Sequence, residues 1–247
     1  MNPTSLPRRA LAEFLGTGLL VAVVVGSGIA AQRLSTDPGL RLLENSIATA
    51  LGLTALIVLL APVSGAHFNP VVSLADTVLG RRAASGSHTG LTIRDLTGYV
   101  GAQLLGGIAG ALLANAMFEM PTAIATTTRA EAGTLLAEVV ATAGLVLLIA
   151  GLSRSGQSIP VIAGAVGAYI GAAYWFTSST SFANPAVTVG RIFSDTFAGI
   201  APASALAFIG AQLVGAAIGV LLTLILFPHP PAAIAAAPDP VTREAQP

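Results

Sequence analysis

The 247-residue chain contains no cysteine and no lysine, and charged residues of either sign make up only 9% of it. The absence of cysteine excludes disulfides, thiolate metal sites and catalytic thiols together. All eleven basic residues are arginines, eleven acidic residues balance them, and no basic run points to nucleic acid. A soluble domain carries about 25% charged residues. The space left by charge is filled by hydrophobic residues, 54% of the chain. Such a composition is that of an integral membrane protein. Nothing in it suggests a catalytic centre, a metal site or a cofactor.

A bilayer core needs about 20 mainly apolar residues per helix. Six segments are that long: 10–31, 45–62, 96–117, 132–151, 159–177 and 202–227. The first follows Arg8 and Arg9 as a secretory signal would, but it is too long for a signal core and contains Glu13. It reads as a retained span. Two shorter apolar segments, 69–79 and 184–194, each open on Asn-Pro and are too short to cross. Residues 1–9 are expected to form a cytoplasmic N-terminus and the Pro/Ala-rich residues 228–247 a disordered tail. The arginines give the orientation. With the N-terminus inside, seven (8, 9, 81, 82, 94, 154, 243) lie inside and four (33, 41, 129, 191) outside. The positive-inside rule then places both termini in the cytoplasm.

The sequence also repeats. "AEFLGTG" at 12–18 returns as "AEVVATAG" at 137–144, "HFNPVVSL" at 67–74 as "SFANPAVTV" at 181–189, and "VGAQLLGGIAGALL" at 100–113 as "IGAQLVGAAIGVLL" at 209–222. These matches pair Glu13 with Glu138, Asn69 with Asn184 and Gln103 with Gln212, at offsets of 125, 115 and 109. Repeat one spans about 10–117 and repeat two about 132–227. Each holds three spans, an odd number, so the second repeat must be inverted relative to the first. Inverted repeats around a midplane site mark transporters and channels.

Asparagine is a good helix N-cap and proline suits the first helical position. Asn69-Pro70 and Asn184-Pro185 therefore start two short helices. The stretches ahead of them, "PVSGAH" and "FTSSTS", suit an irregular descent into the membrane. Non-helical backbone at that depth is tolerated only inside protein or along a watery cavity.

With these paired motifs, residues 8–227 resemble the aquaporins of the major intrinsic protein family. The resemblance implies an all-α membrane protein, with six transmembrane helices and two half-membrane reentrant helices in an inverted repeat. Its pore motifs would be Asn69-Pro70-Val71, which departs from Asn-Pro-Ala and is expected to crowd the junction, and Asn184-Pro185-Ala186. Glu13 and Glu138 would support the reentrant loops, with Gln103 and Gln212 bonding loop backbone. Such a carboxylate costs roughly 2.5–3.5 kcal/mol if left unpaired at a helix centre. His67 could line the inner vestibule or be packed against loop backbone.

By the same resemblance the filter near the outer mouth is Thr49, Ala172, Ser181 and Val187. Ala172 and Thr49 come from an ungapped count, in which a two-residue slip would bring Tyr174 or Leu51 forward. Val187 stands where the family carries an arginine. The filter is expected to be wide, uncharged and without an aromatic ring. Arg191, one helical turn further, is expected above the constriction. The branch most resembled is the bacterial one associated with arsenic resistance. The implied function is a passive, tetrameric channel of the inner (plasma) membrane for water and small neutral solutes such as glycerol, or undissociated arsenite. An ion-coupled secondary transporter would share the inverted repeats, with Glu13 and Glu138 as its only acidic candidates. An intramembrane hydrolase would need Ser64 and His67 as nucleophile and base.

Overall fold

The computed structural model describes residues 5–81 and 90–228, and these form eight α-helices and no strand. The expected disordered tail from residue 229 onward lies outside the described residues, as do residues 1–4 and 82–89. The helices are α1 (Leu6–Leu34), α2 (Pro38–Ser64), α3 (Pro70–Arg81), α4 (Ile93–Met117), α5 (Ala132–Arg154), α6 (Ile159–Phe176), α7 (Pro185–Gly190) and α8 (Pro202–Leu226). A 3₁₀ turn, Arg191–Phe193, continues α7. Six helices are long and apolar enough to cross a membrane, the shortest being α6 with 18 residues, about 27 Å. The protein is therefore a multi-pass membrane protein. At 12 and six residues, α3 and α7 are too short to cross.

Local chemistry sets the helix ends. Proline stands in the first two positions of α1, α2, α6, α7 and α8, where its missing N–H costs nothing. Asp37 caps α2 by accepting from Leu40 N, and Thr92 with Asp95 forms a capping box at α4. Helix α1 starts four residues ahead of its apolar run, and Arg9 on that first stretch pairs with Asp95 of α4 at 2.7 Å. Gly65 ends α2 at φ +90°, a left-handed cap that favours glycine.

Helix α1 packs on α4 and α2, α5 packs on α8 and α6, and α2 meets α6 to join the halves. Without a hydrophobic driving force between helices in lipid, close backbone approach matters most. A Cβ on Gly106 would lie 2.3 Å from Phe14 O, and one on Gly215 would lie 2.5 Å from Val139 O. These two crossings are related by the repeat offsets. Large apolar side chains such as Leu51, Leu59, Leu105 and Leu206 point outward, as lipid contact requires. The short helices tie the halves together, since α3 contacts α5 and α8 as well as α4, and α7 contacts α1 and α4 as well as α8.

Candidate functional site

Both loops that precede the short helices are strained in the same way. Ala66 and Phe68 have φ of +52° and +50°, and their repeat counterparts Ser181 and Ala183 have +49° and +46°. Left-handed conformations at non-glycine residues cost of order 1–3 kcal/mol each and persist only when the surroundings hold them. Here each loop is held by one buried glutamate. Glu13 accepts from Ser64 Oγ, His67 N, Phe68 N and Gln103 Nε2 at 2.6–3.0 Å. Glu138 accepts from Ser179 Oγ, Phe182 N, Ala183 N and Gln212 Nε2 at 2.6–2.9 Å. Four donors satisfy a carboxylate that would otherwise be too costly to bury. The two glutamines do not bond loop backbone as the sequence suggested. Gln103 Nε2 reaches Glu13 and Ser73 Oγ, and Gln212 Nε2 reaches Glu138 and Thr188 Oγ1. They brace the carboxylates and the short helices instead.

The two asparagines meet. Asn69 Oδ1 accepts from Val71 N, and Asn184 Oδ1 accepts from Ala186 N and Val187 N. Each amide then donates across the junction, Asn69 Nδ2 to Ala183 O and Asn184 Nδ2 to Phe68 O, both at 2.8 Å. An amide nitrogen carries two N–H groups, so one remains on each asparagine for the cavity that both side chains line. Pro70 and Pro185 are the first helical residues that follow. Val71 does not crowd this junction, because it packs with Ala75 beside Val146 and Ala216 of the other half. Its counterpart Ala186 is fully buried where α7 approaches α4, and a Cβ on Gly107 would lie 2.5 Å from Ala186 O.

Three cavities follow one another through shared lining residues. A central one of about 60 Å³ passes Asn69 and Asn184. At one end it shares His67, Val72 and Ile149 with a vestibule of about 380 Å³ that also contacts Asp76. At the other end it shares Arg191 with a vestibule of about 200 Å³ bordered by Asn45, Arg129, Thr180 and Phe197. A cavity needs about 10–15 Å³ to hold a water, so the central segment admits a few small molecules between two wider mouths. His67 lies on this passage, its Nδ1 paired with Ser73 Oγ at 3.1 Å and its ring edge-on to Tyr99.

Of the expected filter residues, Thr49, Ser181 and Val187 line the central cavity. Ala172 does not. It is exposed on α6, and the cavity-facing residues of that helix are Val166, Ile170 and Tyr174. The ungapped count fails by two residues, which turns about 200° around a helix. The buried positions of α6 (163, 166, 167, 170, 173, 174) carry the helical period that would have identified Tyr174. Tyr174 Oη lies 3.1 Å from Thr49 Oγ1. Ser181 Oγ is buried with no hydrogen-bond partner among the described residues.

The passage is also charged. Arg191 is only 3% exposed and borders both the central and the Arg129 vestibule cavities. Its Nε donates to Ala198 O, and its Cζ lies 3.4 Å from the Phe182 ring centroid. A filter without an aromatic ring is therefore not what the chain forms, and a charge borders the passage beside it. Arg129, in the loop between α4 and α5, donates to Gly199 O and Phe197 O at 2.8 and 2.9 Å. Burial lowers its pKa from the usual value, and Tyr174 acts in the opposite direction.

This geometry disfavours the alternatives. Ser64 gives its proton to Glu13 and His67 turns to Ser73, so the two form no nucleophile–base pair. Glu13 and Glu138 line none of the three cavities, and their oxygens are taken by loop donors rather than open to a coupling ion.

Known proteins agree with this architecture. Residues 1–174 match the family described as Major intrinsic protein. The chain is 48% identical over 218 residues to the aquaglyceroporin AqpS of Rhizobium meliloti (strain 1021), covering 87% of this chain and 88% of that protein. It is 38% identical over 113 residues to aquaporin-2 of Rattus norvegicus, covering 46% of this chain and 37% of that one. The X-ray structure of the aquaglyceroporin from Plasmodium falciparum has the same fold, with a TM-score of 0.69 at 20% identity over 89% of this chain and 96% of that chain. With its two crossed Asn-Pro helices and matched loop glutamates, the chain belongs to the major intrinsic protein family, whose members are channels and not enzymes.

Proposed function

We propose that the chain is a passive channel for water and small neutral solutes of glycerol size. The observation that carries this is the passage that two capped asparagines line between two vestibules. Its wall mixes polar and apolar groups. Thr49, Tyr174, Ser181 and the free amide N–H of each asparagine offer hydrogen bonds, while Leu20, Val24, Leu53, Leu145 and Val187 offer an apolar surface. A polyol presents the same mixture of carbon and hydroxyls. Similarity to a protein named an aquaglyceroporin favours the same solute class. Undissociated arsenite, a neutral trihydroxyl molecule, meets the same description.

Thr49, Tyr174, Ser181 and Val187 form the narrow part in this reading. Glu13, Glu138, Gln103 and Gln212 serve as loop supports, and His67 serves the inner vestibule. The opposed positive ends of α3 and α7, with the asparagine amides, disfavour protons and cations as aquaporin-type pores do. The channel domain is 10–227, and it sits in the plasma membrane with both termini in the cytoplasm, on the distribution of arginines. The assembly is a homotetramer with one pore per subunit, its spans containing abundant small residues that allow close contact between helices.

Stopped-flow light scattering on reconstituted vesicles tests this. Shrinkage in a sorbitol gradient and reswelling in glycerol should each exceed protein-free vesicles by about tenfold or more, a barrier difference of at least ~1.4 kcal/mol. Rates equal to protein-free vesicles for both solutes contradict it.

A further inference from the structure

Arg191 has no ion-pair partner among the described residues. Among the described residues the one ion pair joins Arg9 to Asp95, far along the chain from it. Nor is its guanidinium consumed by hydrogen bonds, since among the described residues only Nε has a partner, Ala198 O. The two Nη nitrogens are not among the fully buried unpartnered atoms, and the side chain borders the central cavity and the Arg129 vestibule at once. An isolated buried charge is too costly to keep unless something solvates it. Here the solvating medium is the contents of the lumen.

Arg191 follows Val187 by four residues, and residues four apart lie on one face of a helix. Val187 lines the central cavity below it. The planar guanidinium lies against Phe182, itself edge-on to Phe208 at 5.1 Å. Stacking of this kind suits arginine and not lysine. Arg129 cannot serve the same way, because it is tethered to Gly199 and Phe197 by two nitrogens and lies 5.7 Å from the same ring.

We infer that Arg191, held by Phe182 and the Ala198 carbonyl, is the specificity-determining group of the pore: a fixed cation that repels cations and donates to hydroxyl-bearing neutral solutes at the junction of vestibule and constriction. This rests on the channel reading above. Because Val187 occupies the neighbouring turn, the opening beside the charge is bounded by a short apolar side chain. The charge thereby excludes ions without closing the path to a polyol.

The test uses full-length protein in vesicles and reads water flux, glycerol flux, and sodium or proton leak under an imposed potential. Arg191→Ala and Arg191→Gln should raise the ratio of cation leak to water flux about tenfold or more over wild type. Gln retains a planar donor head without the charge, so it separates charge from the Ala198 bond if Ala folds poorly. Adding Val187→Arg to Arg191→Ala should restore ion exclusion and lower glycerol flux about tenfold, because the charge returns one turn deeper in the narrow part. Arg191→Ala and Arg191→Gln channels that conduct water without added leak overturn the inference, as does a double variant that leaks like Arg191→Ala. Wild-type vesicles without water flux overturn the channel reading instead, and this inference with it.

Discussion

The two reentrant loops share one scaffold and differ in what they place at its ends. In the first, the His67 ring stands edge-on to Tyr99, whose hydroxyl donates to Ser64 O at 2.7 Å. In the second, the positions related by the repeat are Phe182 and Phe208, which pack edge-on with no polar bond. Further along, Asp76 of the first repeat accepts from Leu91 N, while its counterpart Arg191 donates to Ala198 O. Each of these two lines the vestibule on its own side. The glutamate, the crossed asparagines and the left-handed residues are repeated because each loop faces the same problem, an irregular backbone that must be satisfied away from water. The mouths are not repeated, because one presents a negative and the other a positive side chain to the solute. Structure is duplicated where the backbone demands it, and function is divided where side chains meet the lumen.

Removing a loop glutamate attacks the shared scaffold most directly. Glu13→Ala and Glu138→Ala should each lower stability by several kcal/mol, since every donor left unpaired in the interior costs about 1–3 kcal/mol. Thermal unfolding in detergent should show the two losses to be similar. One tolerated and one lethal substitution would mean that the matched hydrogen bonds are not matched in energy.

The next effect is confined to one half. Gly107→Ala would drive a methyl to 2.5 Å from Ala186 O, whereas the counterpart in the other half is already Ala216, packed against Val71. The substitution should destabilise by about 1–3 kcal/mol, as overpacking does, while Ala216→Gly should cost about 1 kcal/mol. Equal, small effects would show that α7 does not need its closer approach to α4.

Exchanging amide for carboxylate probes the junction. Asn69→Asp and Asn184→Asp each remove the donor that crosses to the opposite loop and place a negative charge in the central cavity. Glycerol flux should fall about tenfold, ~1.4 kcal/mol, with cation leak rising. Wild-type flux and no leak in either variant would break the central placement of these residues. The smallest expected change makes the first loop resemble the second. Tyr99→Phe removes the bond to Ser64 O and should cost about 1 kcal/mol in unfolding experiments, with flux little changed.

The helices were legible from the sequence to within four residues at most ends, because 20-residue apolar runs have few alternatives in a membrane protein. Glu13, Glu138 and the asparagines were legible because each occurs twice. Ala172 was misplaced because a membrane helix is apolar on its lipid side as well as its buried side, so hydrophobicity alone does not orient it. Size and polarity do better: α6 turns Trp175 and Phe176 outward and the hydroxyl of Tyr174 inward. The position of Arg191 was hidden for another reason. Its partners, Phe182 and Ala198, lie nine residues before and seven after it, in loops without period.

The central claim, passive conduction through the passage between Asn69 and Asn184, is tested most directly by the dependence of glycerol flux on driving force. In wild-type vesicles the initial flux should rise in proportion to the glycerol gradient and be unchanged by an imposed proton or sodium gradient. Accumulation of glycerol against its own gradient when either ion gradient is applied would contradict the account.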